Sequence, residues 1–263
     1  MNILEQIIAD KRVEVEQRRK EKTVAELQQS VFYSRKTYSL KESLLEKGSS
    51  GMIAEFKRRS PSKGWIFPDA EINEVAGSYF QKGAAALSIL TDEKYFGGIS
   101  ADLMRARNLN IPILRKDFII DTYQIEEAKS IGADVILLIA ACLSANEVKE
   151  LAAYAKKLDL EVLLELHTEE ELGHICEETE LVGINNRNLK TFEVDVERSL
   201  KMAESIPKEK VKIAESGIDS PEMIRLFREA GFNGFLIGEY FMRSRNPGAC
   251  LADLVKQSQI KLI

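Results

Sequence analysis

The amino-acid sequence predicts an α/β fold, a (β/α)8 TIM barrel with an N-terminal helical extension. Eight short apolar runs alternate with stretches of helical spacing, as the strands of a buried parallel sheet do. A nearly repeated phrase, present as KGAAALSIL, IGADVILLI and AGFNGFLIG, joins a helix stop to a buried strand and indicates a βα array. Several apolar runs also end in a charged or amide side chain, which would place those groups at the active-site rim of a barrel.

The predicted elements form eight strand–helix units. The strands are predicted at Met52–Lys57, Ala86–Leu90, Ile113–Lys116, Val135–Ala140, Val162–Glu165, Leu181–Asn185, Val211–Glu215 and Gly234–Ile237. The helices are predicted at Ile72–Lys82, Ala101–Arg107, Thr122–Ile131, Ala145–Leu158, Glu169–Glu177, Val196–Glu204, Pro221–Ala230 and Gly248–Gln257. An open doubly wound sheet is the alternative for such units, but no GxGxxG or GxxxxGK motif follows the first strand.

Capping residues support these boundaries. Ser144 and Glu147 form a capping box before one helix. Ser220 caps another, with Pro221 at its first position.

The first 47 residues precede the barrel and are predicted to be a helical extension of one domain that spans residues 1–263. Ile3, Leu4, Ile7 and Ile8 recur at helical spacing, so Asn2–Lys20 is predicted to be an amphipathic helix. A second short helix is predicted at Leu40–Lys47. An extension of this kind is expected to cap one mouth of the barrel.

Composition excludes several classes of protein. The chain has 263 residues, 44% apolar and 30% charged, which fits a single barrel and excludes a disordered chain. No run approaches the roughly 20 apolar residues of a membrane span, and the N-terminus lacks the features of a signal peptide. A net charge of −5 argues against a nucleic-acid partner. Cys142, Cys176 and Cys250 lie far apart and form no CxxC pair, which favours free thiols and a cytoplasmic protein.

Ionisable residues at the ends of five apolar runs suggest a catalytic site. They are Lys57, Lys116, Glu165, Arg187 and Glu215. Glu55 lies two residues before Lys57 and shares its face of the strand, as Asn185 does with Arg187. A structural ion pair is the alternative for Glu55 and Lys57, because a buried carboxylate is costly unless it is paired or used. The matching charges on other strands favour a site.

Lysines and carboxylates that meet at one rim can act as general acids and bases in catalysis. A rim lysine can also form a Schiff base, so that chemistry stays open. His167 and His174 match no common zinc pattern and are interpreted as surface or loop residues, so no metal site is expected.

Glycines after the last two strands predict a phosphate cradle. Ser216-Gly217 follows the seventh strand and Gly238-Glu239 the eighth, where barrels of this class hold phosphate on backbone N–H groups. Arg187 is expected to clamp the anion from the neighbouring strand. The basic segment FKRRSPSKG after the first strand is interpreted as a lid for an anionic substrate, with a nucleic-acid patch as the alternative. An apolar slot above the barrel is predicted from Phe96, Phe118 and Leu189.

Seven segments, in chain order, resemble indole-3-glycerol phosphate synthase. They are IAEFKRRSPSKG, LSILTDEKYFGG, IPILRKDFIID, GADVILLI, GINNRNL, IAESGI and FLIGE, between about Met52 and Met242. The resemblance implies a carbon–carbon lyase of tryptophan biosynthesis that uses neither cofactor nor metal. It would close the ring of 1-(2-carboxyphenylamino)-1-deoxyribulose 5-phosphate, a small anionic substrate, with loss of carbon dioxide and water, and needs no obligatory protein partner.

The resemblance also implies roles for individual residues. Lys116 matches the general acid on the substrate ketone, and Glu165 the carboxylate of later proton transfer and dehydration. Lys57 matches the lysine that meets the substrate carboxylate and, with Glu55, takes part in dehydration. Residues that match positions holding hydroxyls and lysines are Glu215 and Asn185. Residues that match the phosphate side are Arg187, Ser216, Gly217, Gly238 and Glu239. Residues that match other substrate contacts are Ser60, Phe96, Phe118, Leu137 and Leu189. Asn188 and Glu239-Tyr240 depart from the common pattern.

Two other functions use the same features. One is a Schiff-base aldolase acting through Lys57 or Lys116, and the other is a non-catalytic barrel that binds a sugar phosphate.

Overall fold

Eight parallel strands close into a barrel in the structure, a computed structural model that describes residues 3–188 and 193–259. Each strand pairs with the next one along the chain, and the first pairs with the last, so the barrel has no open edge. This arrangement confirms the predicted fold class. The barrel strands β1 to β8 are Met52–Phe56, Ala86–Leu90, Ile113–Lys116, Val135–Ile139, Glu161–Leu166, Leu181–Asn185, Val211–Glu215 and Gly234–Ile237.

Helices surround the barrel and extend it at the N-terminus. Helices α1 to α12 are Ile3–Glu21, Val24–Leu27, Leu40–Leu45, Ile72–Gln81, Glu93–Phe96, Ser100–Ala106, Thr122–Ser130, Ala145–Lys157, Val196–Glu204, Pro221–Glu229, Glu239–Met242 and Pro247–Gln259. None of these described helices combines the length and the apolar character that a membrane span requires. A two-stranded hairpin, Arg59–Ser60 with Gly64–Trp65, follows β1 and forms part of the predicted lid.

One predicted helix is wrong in type. The segment after β5 forms a short 3₁₀ helix, Glu169–His174, instead of an α-helix over Glu169–Glu177. Gly173 weakens helical propensity in the middle of the segment. The Glu171 carboxylate also bonds to the backbone N–H of His167 at 2.6 Å, which holds the segment close to the end of β5.

The N-terminal extension contacts both ends of the barrel rather than one. Leu40 and Leu44 of α3 pack with interior residues near the start of the strands and close the bottom. At the opposite end, the buried Lys11 of α1 forms ion pairs with Asp92 at 2.8 Å and with Asp117 at 3.0 Å. These two aspartates follow β2 and β3, so α1 lies over the carboxyl ends of the strands.

Candidate active site

A cavity of about 610 Å³ opens at the carboxyl ends of the strands. Its lining contains the six residues predicted to be catalytic: Glu55, Lys57, Lys116, Glu165, Asn185 and Glu215. It also contains nine predicted binding residues: Ser60, Phe96, Phe118, Leu137, Arg187, Ser216, Gly217, Gly238 and Glu239. Leu189, the remaining prediction, lies outside the described residues. The structure therefore brings residues from distant parts of the sequence to one mouth of the barrel.

Lys116 lies among carboxylates in this cavity. Its Nζ is 2.8 Å from Glu165 Oε2 and 3.8 Å from Glu215 Oε2. Burial alone would lower the pKa of Lys116, but the carboxyl groups of Glu165, Glu215 and Glu55 outweigh it and raise that pKa above its ordinary value. Lys116 is therefore an ammonium ion at neutral pH. An ammonium group suits a proton donor, whereas a Schiff-base lysine must first lose its proton.

Glu165 and Glu215 have opposite protonation preferences although they are neighbours. Burial would raise the pKa of Glu165, but Lys116 and His167 hold it well below the usual range. Burial and the charge of Glu165 raise the pKa of Glu215 well above its usual range. Glu165 therefore favours the carboxylate form and Glu215 the neutral acid, the pattern that separates acid and base roles in many enzymes.

Two glycines make room for these buried carboxyl groups. A Cβ added at Gly183 would lie 2.1 Å from Glu215 Oε1, and one added at Gly238 would lie 2.3 Å from Glu55 Oε1. Gly238, predicted for the phosphate cradle, thus also leaves space for Glu55. The Glu55 carboxylate pairs with Lys57 Nζ at 2.6 Å, so the ion pair considered from the sequence is present at the cavity wall.

The loop after β7 has a backbone shape suited to an anion. Ser216 and Gly217 both have φ of 67°, in the left-handed region that is rare for a residue with a side chain. Asn186, a buried residue that sequence analysis did not single out, donates from Nδ2 to the Ser216 carbonyl at 2.8 Å and supports this turn. In the sequence, the second asparagine of the segment INNR was the feature that could have pointed to this supporting residue.

An ionic cluster stands beside this loop. Arg187 Nη2 is 3.4 Å from Glu239 Oε2, and Arg243 Nη2 is 2.5 Å from Glu239 Oε1. The glutamate that departs from the common pattern therefore bridges two arginines at the cavity.

Apolar side chains form one wall of the cavity. The rings of Phe96 and Phe118 are 6.0 Å apart, and both line the cavity. Ile3, Leu4 and Ile7 of α1 complete the wall. Sequence analysis assigned these three residues to a helix but not to the site, because the sequence does not show which end of the barrel the helix covers.

The basic segment FKRRSPSKG after β1 uses one of its arginines for structural contacts. Arg58 forms a two-point ion pair with Asp102, at 2.6 and 3.1 Å, and its guanidinium lies over the Phe56 ring. Ser60 from the same segment lines the cavity. These contacts favour the lid over the nucleic-acid patch.

His167 was interpreted as a surface or loop residue, and the structure corrects this. The residue is only 5% exposed, and its Nε2 is 3.1 Å from Glu165 Oε1. Glu165 and His167 are two residues apart at the end of one strand, so their side chains point to the same face. This spacing could have indicated from the sequence that His167 lies beside Glu165. His174 is half-buried, with Nε2 2.9 Å from the Leu143 carbonyl oxygen. Within residues 3–188 and 193–259, no group of three or more His, Cys, Asp or Glu side chains could hold a metal ion.

The fold and the cavity together define a (β/α)8-barrel enzyme with an acid–base site at the carboxyl ends of its strands. The chain belongs to the indole-3-glycerol phosphate synthase family, whose family model matches residues 4–254. The indole-3-glycerol phosphate synthase of Bacteroides thetaiotaomicron is 50% identical over 259 residues, which cover 98% of this chain and 99% of the relative. That of Polynucleobacter asymbioticus is 45% identical and covers 96% of this chain and 98% of its own length.

Solved structures with low sequence identity share the fold. Thiamine phosphate pyrophosphorylase from Pyrococcus furiosus has a TM-score of 0.61 at 16% identity, covering 84% of this chain and 98% of its own. Tryptophan synthase subunit alpha from Legionella pneumophila has a TM-score of 0.61 at 12% identity, covering 83% of this chain and 97% of its own. The match to the family model and the two indole-3-glycerol phosphate synthases described above confirm, at the level of the family, the resemblance found in the sequence. The enzyme is a lyase of tryptophan biosynthesis that decarboxylates its substrate and closes the indole ring.

Proposed function

We propose that Lys116 is the general acid of ring closure and that Glu165 and Glu215 divide the proton-handling roles around it. The observation that carries this proposal is the position of the Lys116 ammonium, 2.8 Å from one of these carboxyl groups and 3.8 Å from the other. The substrate is 1-(2-carboxyphenylamino)-1-deoxyribulose 5-phosphate, and its phosphate, carboxylate and ketone correspond to the turn at Ser216-Gly217, the Lys57 ammonium and the Lys116 ammonium.

The first chemical step forms the carbon–carbon bond. The ring carbon that bears the carboxylate attacks the ketone carbon, and the ketone oxygen takes a proton from Lys116. The carboxylate then leaves as carbon dioxide, and its bonding electrons restore the aromatic ring. Lys57 holds that carboxylate beforehand, and the apolar wall with Phe96 and Phe118 holds the ring so that the two carbons are close.

Dehydration completes the indole. The new hydroxyl group leaves as water after taking a proton from the Glu55–Lys57 pair, and Glu165 accepts the proton released from the ring that has just closed. Glu215, the neutral acid, donates a hydrogen bond to a substrate hydroxyl, while Asn185 Nδ2 holds Glu165 Oε1 at 3.0 Å. These steps need no cofactor, because the chain's own side chains supply every proton donor and acceptor.

The reaction needs neither a protein partner nor nucleic acid or membrane, and we propose that it takes place in the cytoplasm. The three cysteines are free, in keeping with a reducing compartment.

A direct assay tests the proposed function. The purified chain with the open-chain ribulose substrate is expected to produce the fluorescence of the indole product. Sodium borohydride added during turnover is expected to trap no covalent adduct. Trapping of the substrate on Lys57 or Lys116 would instead establish the Schiff-base aldolase. Substrate binding without any product would establish the non-catalytic barrel.

Replacing Arg187 with Met is expected to raise KM about 10- to 100-fold and to change kcat less. A hydrogen bond to a charged group contributes about 1.5–3 kcal/mol, and the phosphate is bound but does not react. Steady-state kinetics measure both constants. Arg225→Met is the matched control, because Arg225 on α10 pairs with Glu222 and donates to the Gln257 carbonyl. An unchanged KM in Arg187→Met would exclude this arginine from phosphate binding.

Replacing Glu239 with Gln is expected to have the opposite effect, a KM lowered about two- to fivefold. The carboxylate occupies Arg187 and repels a phosphate dianion, and partly exposed ion pairs contribute about 0.2–1 kcal/mol. The inhibition constant of inorganic phosphate should fall with KM. Glu222→Gln removes a comparable ion-paired carboxylate on α10 and should leave both constants unchanged. A higher KM in Glu239→Gln would mean that this carboxylate helps to bind substrate.

A further inference from the structure

His167 is a buried titratable residue in direct contact with Glu165 that the mechanism above leaves without a role. Its Nε2 is 3.1 Å from Glu165 Oε1, and its Nδ1 is 3.8 Å from Glu171 Oε2. Its backbone N–H also donates to Glu171 Oε2 at 2.6 Å, which fixes this carboxylate beside the ring. The imidazole is therefore enclosed between two carboxylates, one in the active site and one in the segment after β5.

The groups around the ring favour its charged form. Glu165 comes from the end of β5 and Glu171 from the following 3₁₀ helix. Lys116 lies on the far side of Glu165. The nearby Cys142 thiol is neutral, because burial and the same two carboxylates raise its pKa to about 12. Burial would lower the pKa of His167, but the adjacent carboxyl groups of Glu165 and Glu171 raise it to about 9.

The contacts of Glu165 and Glu215 are unequal. Glu165 Oε1 receives Asn185 Nδ2 and faces His167, while its Oε2 faces Lys116 at 2.8 Å. Glu215 Oε2 is 3.8 Å from the same ammonium, and among the described residues its buried Oε1 has no hydrogen-bond partner. Two adjacent carboxyl groups that cannot both ionise share one proton, and the member with more hydrogen bonds and closer cations ionises first.

We propose that His167 is a positioning residue that keeps Glu165 ionised and leaves the shared proton on Glu215. The imidazolium holds Glu165 Oε1 and directs Oε2 towards Lys116 and the substrate. Without this cation, Glu165 keeps Lys116 and Asn185 but loses a charge contact that Glu215 does not share. This inference rests on the proposed role of Glu165 in proton transfer, but its first test does not require substrate.

Nitrogen NMR of the histidine rings tests the contact directly. The chain contains two histidines, and His174→Gln assigns the signals by elimination. We expect His167 to titrate with a pKa of about 9. In Glu165→Gln the pKa of His167 should fall towards its ordinary value, since the partner charge is removed. A His167 pKa at or below 6.5, or one that Glu165→Gln does not change, would overturn the proposal.

The pH profile of kcat tests the consequence for catalysis. In His167→Gln the acid limb is expected to move upward by about one pH unit, because loss of a nearby cation raises a carboxyl pKa. The alkaline limb near pH 9, which the proposal assigns to loss of the His167 proton, should disappear from the pH profile of kcat. His174→Gln, the matched control, should keep the wild-type profile. A rate that falls equally at all pH values would show a structural role only and would contradict the proposal.

The variant Glu171→Gln is a second test of the proposal, and it leaves the carboxyl groups of Glu165 and Glu215 in place. Removing this carboxylate should lower the pKa of His167 and move the alkaline limb to lower pH, and NMR and kinetics should shift together. An alkaline limb that stays in place while the NMR pKa moves would disprove the link. Failure of the proposed function would appear differently, as Lys116→Met turning over at the wild-type rate while the His167 titration stays as expected.

Discussion

Replacing Lys116 with Met is expected to reduce kcat at least about 10²-fold while the barrel stays folded. A general acid contributes typically 10²- to 10⁴-fold, and methionine has similar length but no proton to donate. The two carboxyl groups left behind can avoid a buried charge by taking up a proton, so the substitution need not unfold the protein. The rate of indole product fluorescence measures the effect, and circular dichroism measures the fold.

Lys212→Met is the matched control for this experiment. Lys212 is also a barrel-strand lysine, on β7, but it donates to the Ala203 carbonyl at 3.1 Å and is not expected to touch substrate. It should keep its turnover. Wild-type turnover in Lys116→Met would remove Lys116 from the mechanism, and a matching loss in the control would show a general effect of removing lysines from the barrel.

Replacing Lys11 with Met is expected to lower the free energy of unfolding by about 3–5 kcal/mol, the range for breaking a buried ion pair. Lys11 is 1% exposed and pairs with Asp92, Asp117 and Glu14 at 2.8, 3.0 and 2.8 Å. Without it, two buried aspartates lose a cation. Urea unfolding followed by fluorescence and circular dichroism measures the change.

The same substitution is expected to raise KM, because Ile3, Leu4 and Ile7 of the anchored helix line the cavity. Lys20→Met, at an exposed position of the same helix, should alter neither stability nor KM by a comparable amount. If Lys11→Met lowers the free energy of unfolding by less than about 1 kcal/mol, the attraction between the charges of this buried cluster only offsets the cost of their desolvation.

Local patterns in the sequence predicted most of the barrel. Five strands, among them Ile113–Lys116 and Val211–Glu215, have the predicted boundaries, because each is an apolar run that ends at or just before a polar residue or a glycine. Helix α9, Val196–Glu204, also has its predicted boundaries. The 3₁₀ segment after β5 was missed because its conformation depends on Glu171 bonding to the N–H of His167.

The sequence predicted which residues lie in the candidate site better than it predicted the catalytic role of each residue. A strand that ends in a charge places that charge at the rim, so Lys116, Glu165 and Glu215 could be grouped before any distance was known. Their roles stay predictions until the variants are measured. Asn186 was missed because its partner, the Ser216 carbonyl, becomes a neighbour only through the geometry of the strand ends. His167 was missed although it shares a face with Glu165 two residues before it, because the sequence does not show that the ring is buried against that carboxylate.

The sequence by itself determined the barrel, the family and the set of ionisable groups at the mouth, because periodicity and strand ends are properties of neighbouring residues. Only the tertiary structure decided that α1 covers the active-site end while α3 closes the other. It also decided that the pKa of Glu165 is lowered and that of Glu215 raised, since a buried pKa depends on which charges and hydrogen bonds surround the group. Those surroundings come from several strands at once, and no single segment of the chain contains them.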